Sequence, residues 1–168
     1  MSWCYETFPD ATQYGWLADD TRPRTDGWDR KLEAEAGSWR FVYAKDLWLS
    51  ENAFEEALLI AGHNCSSGLC WGGDLVRTAR WWAPPGVTQA GIDTTWLALT
   101  RPLSLHLYVP YVTVEHLNWR TGKREKDPGD EWDREGVGYI DRDIVAAANW
   151  VWSSDYRATL KRIHTAAA

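Results

Sequence analysis

Two adjoining stretches decide the fold, W-R-F-V-Y-A at residues 39–44 and N-A-F-E-E-A-L-L-I-A-G at residues 52–62. The first is rich in aromatic and β-branched residues, which predicts a strand. The second predicts a helix, because Asn52 is a good N-cap and Glu55, three residues later, completes a capping box. Gly62 suits the position just after the last helical turn. Apolar residues recur at the spacing of one helix face, at Phe54, Ala57, Leu58 and Ala61.

Further elements follow towards the C-terminus. Residues 94–100 (T-T-W-L-A-L-T) predict a strand, and the apolar residues from Leu103 to Val109 alternate with the period of a half-buried strand. After Pro110 the alternation changes parity, which predicts a bulge there. Residues 137–140 predict a short returning strand, and apolar residues every three or four positions from 144 to 163 predict C-terminal helix.

This order of elements predicts an α+β fold in a single domain over residues 1–168, because 168 residues are enough for one core. We expect a twisted, mainly antiparallel sheet with two main helices packed on one face. Closely spaced Pro, Gly and Asp residues predict that residues 1–37 form an irregular, Trp-rich N-terminal segment packed on this body. The expected core comprises the inward positions of the best-patterned elements: Phe54, Leu58, Trp96, Leu105, Leu107, Val114, Ile144, Trp152 and Leu160.

Composition excludes several classes of protein. The net charge of −6 argues against a protein that coats nucleic acid by charge, so a nucleic-acid partner is not expected. No apolar run approaches the ~18 residues of a membrane span, so no membrane partner is expected. The N-terminus lacks the basic and apolar regions of a secretory signal. We therefore expect a cytoplasmic or virion-associated protein.

Tryptophan is the unusual residue, with 13 copies against 3 phenylalanines. Most would build the core, but Trp is also enriched at binding hot spots, so we expect a few to be exposed. Trp81 and Trp82 precede Pro84-Pro85 in a rigid aromatic loop, and in a strand they would point to opposite faces, one buried and one presented. Trp119 lies beside a basic cluster. The candidate binding residues are therefore Trp81, Trp82 and Trp119.

The densest polar cluster is His63-Asn64-Cys65-Ser66-Ser67-Gly68-Leu69-Cys70. His63, Cys65 and Cys70 supply the ligand types that zinc prefers, so zinc is the one possible cofactor. The fourth ligand could be Cys4, His106, His116, an acidic residue or water. The alternatives are two buried free thiols, or a Cys65–Cys70 disulfide in an oxidising compartment; three cysteines without a signal peptide favour free thiols.

The stretch from Asn64 to Leu69 also resembles the Asp-Cys-Ser-Gly-Leu motif of the NlpC/P60-type cysteine peptidases, over about six residues. Asn64 stands where that motif has the acid, and an additional serine interrupts it. The resemblance implies a cysteine hydrolase in which Cys65 opens a helix and a histidine on a later strand is its base. His106 or His116 would fill that role.

Two functions of different class follow. The first is a small acidic, non-catalytic protein-binding module that acts through its Trp-rich loops, such as an inhibitor, assembly or virion protein of a phage or mobile element. Residues 1–84 carry 13 acidic against 8 basic residues, which favours a protein partner with a basic surface. The alternative is the small cysteine hydrolase. Calcium-loop, phosphate-loop and G-x-S-x-G patterns are missing from the sequence.

Overall fold

The computed structural model describes residues 2–18, 20–66, 68–87, 91–117, 125 and 137–168. Within them the chain forms seven α-helices and a five-stranded sheet. The helices are α1 (Ser2–Thr7), α2 (Trp28–Ala36), α3 (Ala53–Ile60), α4 (Gly73–Ala79), α5 (Ile92–Thr100), α6 (Val137–Val151) and α7 (Ser154–Ala167). The strands are β1 (Gln13–Leu17), β2 (Thr21–Pro23), β3 (Phe41–Asp46), β4 (Gly68–Gly72) and β5 (His106–His116). Short 3-10 turns cover Leu49–Glu51 and Arg101–Leu103.

The sheet has the strand order β1-β4-β3-β5-β2. Its neighbours are antiparallel, except that β3 and β5 run parallel. The predicted α+β class and mainly antiparallel sheet are therefore confirmed. Strand β3 lies at the centre of this order, and β1 and β2 lie at its two ends. The chain passes from β1 to β2 between Leu17 and Thr21, and the sheet is nearly closed.

Helices cover both faces of the sheet, so the prediction of helices on one face only is wrong. Phe41 and Tyr43 of β3 join an aromatic cluster with residues of α3 to α7, whereas Val42 and Ala44 join a second cluster with Leu32 and Ala36 of α2. The cause is the sequence of β3, which is apolar at four successive positions. Alternate side chains of a strand point to opposite faces, so an uninterrupted apolar strand needs cover on both.

Residues 1–37 are not the irregular segment that the sequence predicts, because the described part of this range contains α1, β1, β2 and α2. Pro9, Asp10, Pro23, Asp26 and Gly27 lie at or between the ends of these short elements, whereas Gly15 lies in the middle of β1. Tyr14 is buried in the aromatic cluster and Trp16 packs against it, so this part of the chain is integrated into the sheet.

Two predicted strands are helical. Residues 94–100 belong to α5, where the Thr95 and Thr100 hydroxyls donate to the carbonyls of Gly91 and Trp96, four residues earlier in each case. This internal bonding lets threonine occupy a buried helix position. Residues 137–140, the second predicted strand, begin α6.

The prediction of α3 and of the bulge is confirmed. The Asn52 side chain accepts hydrogen bonds from the Phe54 and Glu55 amides, and Gly62 adopts the left-handed conformation with φ of 67°. Ala44 pairs with Val109 while Lys45 pairs with Thr113, so the register shifts across Pro110.

The predicted core is only partly correct. Trp96 and Val114 are fully buried, although Val114 belongs to the second cluster, and Leu105, Leu107 and Leu160 pack at the margins. Leu58 is half-buried. The remaining members are exposed: Phe54 (68%), Ile144 (52%) and Trp152 (82%). Periodicity identified helices, but it did not identify the face that the tertiary structure covers.

Candidate functional site

The three candidate zinc ligands do not converge. Cys65 is buried in the aromatic cluster, whereas Cys70 is buried in the second cluster, on the opposite face of the sheet. The His63 ring is exposed, and its Nδ1 atom lies 2.9 Å from the Arg101 guanidinium. In the part of the chain that the structure describes, no three His, Cys, Asp or Glu residues form a group suited to a metal ion.

The environment of Cys65 opposes nucleophilic chemistry. Burial raises the pKa of its thiol well above the ordinary range, and the Asp93 carboxylate raises this pKa further by its charge and by accepting a hydrogen bond from the thiol, at 3.5 Å. A reactive cysteine needs a lowered pKa, because the thiolate is the nucleophile. Cys65 also precedes a strand rather than opening a helix.

The two candidate histidines lie at opposite ends of β5. Burial and the nearby Arg101 charge lower the pKa of His106, whose ring packs against Gly62. At the other end, the Nε2 atom of His116 lies 2.8 Å from an Asp20 carboxylate oxygen. The Cys65 thiol donates to Asp93 and to neither of these rings, so the catalytic pair implied by the resemblance is not assembled in this structure.

Trp81 and Trp82 both pack against the core of the protein. Trp82 is only 5% exposed; its ring contacts Trp71 at a centroid distance of 4.2 Å and Tyr14 at 5.6 Å. Trp81 is half-buried against Trp96 and Trp150. Neither ring projects freely into solvent. Trp119 lies outside the described residues.

A different feature of this region is accessible, namely the outer edge of β1. The Gly72 amide donates to the Arg40 carbonyl at 2.9 Å, so the main chain of Gly72 points towards β3. The main-chain N–H and C=O groups of successive strand residues point to alternate sides of the strand. The main chain of Trp71 therefore points to β1 and pairs with that of Tyr14, and the main chain of Leu69 pairs with that of Trp16.

The other β1 residues, Gln13, Gly15 and Leu17, therefore direct their N–H and C=O groups away from the sheet. Among the described residues, no hydrogen bond is recorded for these groups. The edge is thus a row of unpaired main-chain donors and acceptors, the arrangement on which another strand can pair.

An aromatic pocket of about 330 Å³ lies on one face of this edge. Its walls include the rings of Phe8, Tyr14, Trp16 and Trp82. The Tyr14 hydroxyl donates to the Phe8 carbonyl at 2.6 Å, which holds the two residues together, and Phe8 is 58% exposed. The pocket thus offers apolar, aromatic surface directly beside unpaired main-chain groups.

A second pocket, of about 260 Å³, lies on the opposite face between β1 and α2. It is lined by Trp28 and Leu32 and by the carboxylates Asp29 and Glu33, and none of the described residues in its lining is cationic. The Glu33 charge acts at this site, because burial and then Glu33 raise the pKa of the Cys70 thiol to about 12. We call these the aromatic pocket and the acidic pocket.

Gly15 joins the two pockets, since it lines both and has no side chain to separate them. Sequence reasoning missed this site because it treated residues 1–37 as irregular. The available signal was Q-Y-G-W-L at residues 13–17, in which two aromatic residues alternate with a glycine.

Comparisons with protein-family models, with curated proteins and with solved structures give no match for this chain. Among the described helices, none has the length and apolar character needed to cross a membrane.

Proposed function

We propose that the protein is a small, non-catalytic protein-binding module that takes up an extended segment of its partner as an added strand on β1. The observation that carries this proposal is the unpaired edge at Gln13, Gly15 and Leu17, flanked by a pocket on each face. In strand addition, main-chain hydrogen bonds supply affinity and pockets for alternate side chains supply specificity.

The two pockets define the pattern of the partner segment. Successive side chains of an added strand point to opposite faces of the sheet, so neighbouring residues enter different pockets. An apolar or aromatic side chain fits the aromatic pocket. A lysine or arginine fits the acidic pocket, where Asp29 and Glu33 would neutralise its charge. The partner segment therefore alternates apolar and basic residues.

This proposal keeps the expected partner with a basic surface but changes the residues that contact it. Trp82 contributes as a wall of the aromatic pocket, and Trp16 and Tyr14 act with it. Trp81 contacts Trp96 and Trp150 and does not line this pocket. An inhibitor or assembly protein of a phage or mobile element would use such an edge to capture an exposed segment of its target.

The proposal can be tested with random heptapeptides displayed on phage and selected on the immobilised full-length protein. The best peptide is then synthesised, and its Kd is measured by fluorescence anisotropy. We expect enriched sequences in which apolar and basic residues alternate.

Gly15→Pro is the decisive variant. The Gly15 amide points away from the sheet, so proline removes an outward donor and obstructs the edge without breaking a β1–β4 hydrogen bond. Gly15→Ala is the matched control because it retains the amide, and a Cβ atom there meets its nearest neighbour only at 3.9 Å. We expect Gly15→Pro to abolish peptide binding and Gly15→Ala to weaken it far less.

Glu33→Lys tests the acidic pocket separately. It replaces a carboxylate in the pocket lining by a cation, so the selected peptides should lose their basic residues and keep their apolar ones. Selection of no peptide, or peptides that bind Gly15→Pro as tightly as the native protein, would contradict strand addition on β1.

A further inference from the structure

A third and larger pocket forms a groove between α4 and α7, with a volume of about 720 Å³. This volume lies within the range of small-molecule sites, roughly 300–1,000 Å³. Its lining is unusual for a chain of net charge −6, because the described residues of the lining include four cationic residues and one carboxylate. The cationic residues are Arg77, Arg80, Lys161 and Arg162, and the carboxylate is Asp74.

Asp74 neutralises only one of these cations. Its carboxylate accepts a hydrogen bond from Arg77 at 2.7 Å, and this hydrogen bond lowers the pKa of Asp74. The other end of the Arg77 guanidinium donates to the Ala11 carbonyl at 2.8 Å. Arg80, Lys161 and Arg162 therefore present positive charge to the groove without a lining carboxylate that offsets it.

One of these three cations, Arg162, is held in place by hydrogen bonds of its side chain. Arg162 donates to the Thr159 hydroxyl at 2.8 Å and to the Thr78 and Ala79 carbonyls at 3.4 and 3.3 Å. Arg80 ends α4 in the left-handed conformation, with φ of 69°, a position that glycine commonly occupies.

The half-buried Trp39 forms an aromatic wall of the groove, and Thr78 and Thr165 also line it. Arginine binds phosphate oxygens with its planar fork, and an indole ring stacks on planar bases. We propose that this groove binds a nucleoside diphosphate, with the phosphates at Arg80, Lys161 and Arg162 and the base against Trp39. This site is independent of the proposed peptide edge.

The test is isothermal titration calorimetry of the full-length protein with ADP, inorganic pyrophosphate, adenosine and pentaglutamate as separate probes. We expect ADP to bind at least tenfold more tightly than pyrophosphate or adenosine. We also expect its affinity to fall as the salt concentration is raised. Pyrophosphate contributes charge without a ring, and adenosine contributes a ring without charge. Pentaglutamate carries charge in the form of an acidic peptide.

Variants locate the site. Arg80→Ala and Lys161→Ala should each weaken ADP binding by about tenfold, because each removes a charge-assisted hydrogen bond. Arg30→Ala, an exposed arginine on α2 across the sheet, is the matched control and should leave ADP binding unchanged. Trp39→Leu should weaken binding of ADP but not of pyrophosphate.

Several results would overturn the proposal. The proposal would be wrong if ADP did not bind at millimolar concentration. It would also be wrong if the Arg80→Ala and Lys161→Ala variants bound ADP as tightly as the native protein. Pyrophosphate that binds as tightly as ADP would overturn the nucleoside assignment. Pentaglutamate that binds more tightly than ADP would assign the groove to acidic peptides instead.

Discussion

At the scale of single residues, Leu58 and Leu59 of α3 show how adjacent leucines acquire different roles. Leu59 is fully enclosed in the aromatic cluster, and its carbonyl accepts a hydrogen bond from the buried Tyr43 hydroxyl at 2.8 Å. Leu58 is only half-buried. Helix periodicity predicted Leu58 as the inward residue, but the packing of β3 against α3 encloses Leu59 instead.

We predict that Leu59→Ala lowers the free energy of unfolding by ~2–5 kcal/mol, because it removes buried methyl groups and leaves a cavity. Leu58→Ala is the matched control in the same helix and should cost less than half as much. Urea denaturation followed by circular dichroism measures both values. Equal losses, or a larger loss for Leu58→Ala, would show that the orientation of α3 is wrong.

Cys65 provides a second residue-scale prediction. Its raised pKa keeps the thiol protonated near neutral pH, and burial restricts access to it. Iodoacetamide should therefore label Cys65 slowly at pH 7.5 in the folded protein and rapidly in urea. Mass spectrometry of proteolytic peptides measures the labelling separately at each cysteine. Rapid labelling of Cys65 in the folded protein would return the cysteine hydrolase to consideration.

At the scale of elements, one side of β1 is hydrogen-bonded to β4 and the other side is unpaired. Tyr14 and Trp16 bind β4 through their main chain, whereas Gln13, Gly15 and Leu17 direct theirs outward. A five-residue strand at a sheet edge that keeps one side unpaired is open to strand addition.

Hydrogen exchange followed by NMR tests this alternation directly. We predict that the amides of Tyr14 and Trp16 are protected, while those of Gln13, Gly15 and Leu17 exchange rapidly. A peptide from the selection described above should protect outward amides and leave the inward pair unchanged. Strong protection of Gly15 in the free protein would mean that another part of the chain already pairs with this edge.

The contrast between α3 and α5 shows why some elements could be predicted and others could not. Helix α3 carries its own signals, since Asn52 caps it and Gly62 follows its end. In α5, T-T-W-L-A-L-T has the composition of a strand, and only the bonding of Thr95 and Thr100 to carbonyls four residues earlier stabilises the helical alternative. The local sequence pattern predicts a helix correctly where capping residues mark its ends. It fails where the residue composition favours a strand but the tertiary packing favours a helix.

At the scale of the whole molecule, the two apolar clusters share one sheet. Phe41 and Tyr43 belong to the aromatic cluster, and Val42 and Ala44 belong to the second cluster. Because β3 belongs to both, neither cluster can lose its packing without disturbing the other. We therefore regard the chain as a single cooperative unit with its proposed peptide site at one edge of the shared sheet.

Stability should fall in alkaline solution. Burial raises the pKa of Cys65, of Cys70 to about 12, and of Tyr43, so the folded protein retains these protons. In the unfolded chain, thiols release theirs near pH 8.5, so the unfolded state binds fewer protons above that pH. The stabilisation is complete below about pH 8 and decreases towards the folded pKa values, by up to ~1.4 kcal/mol per pH unit for each group.

Denaturation at pH 7.5, 9.0 and 10.5 measures this slope. Cys70→Ala removes one contributing group, so its free energy of unfolding should fall less steeply with pH than that of the native protein, whatever its value at pH 7.5. Identical slopes for the two proteins would contradict the assignment of Cys70 as a buried, protonated thiol.

The sequence by itself determined the α+β class, the strand that became β3, the capped helix α3 and the bulge at Pro110. The strand and α3 carry their signals in residues close in the chain, and the bulge is visible as a change of parity within one strand. Only the tertiary structure decided that Cys65 and Cys70 lie on opposite faces of the sheet, that Trp81 and Trp82 turn inward, and that β1 forms an open edge. These properties depend on which distant segments pack together. The apolar strand β3 requires cover on both faces, and that cover places Cys65 and Cys70 in different clusters.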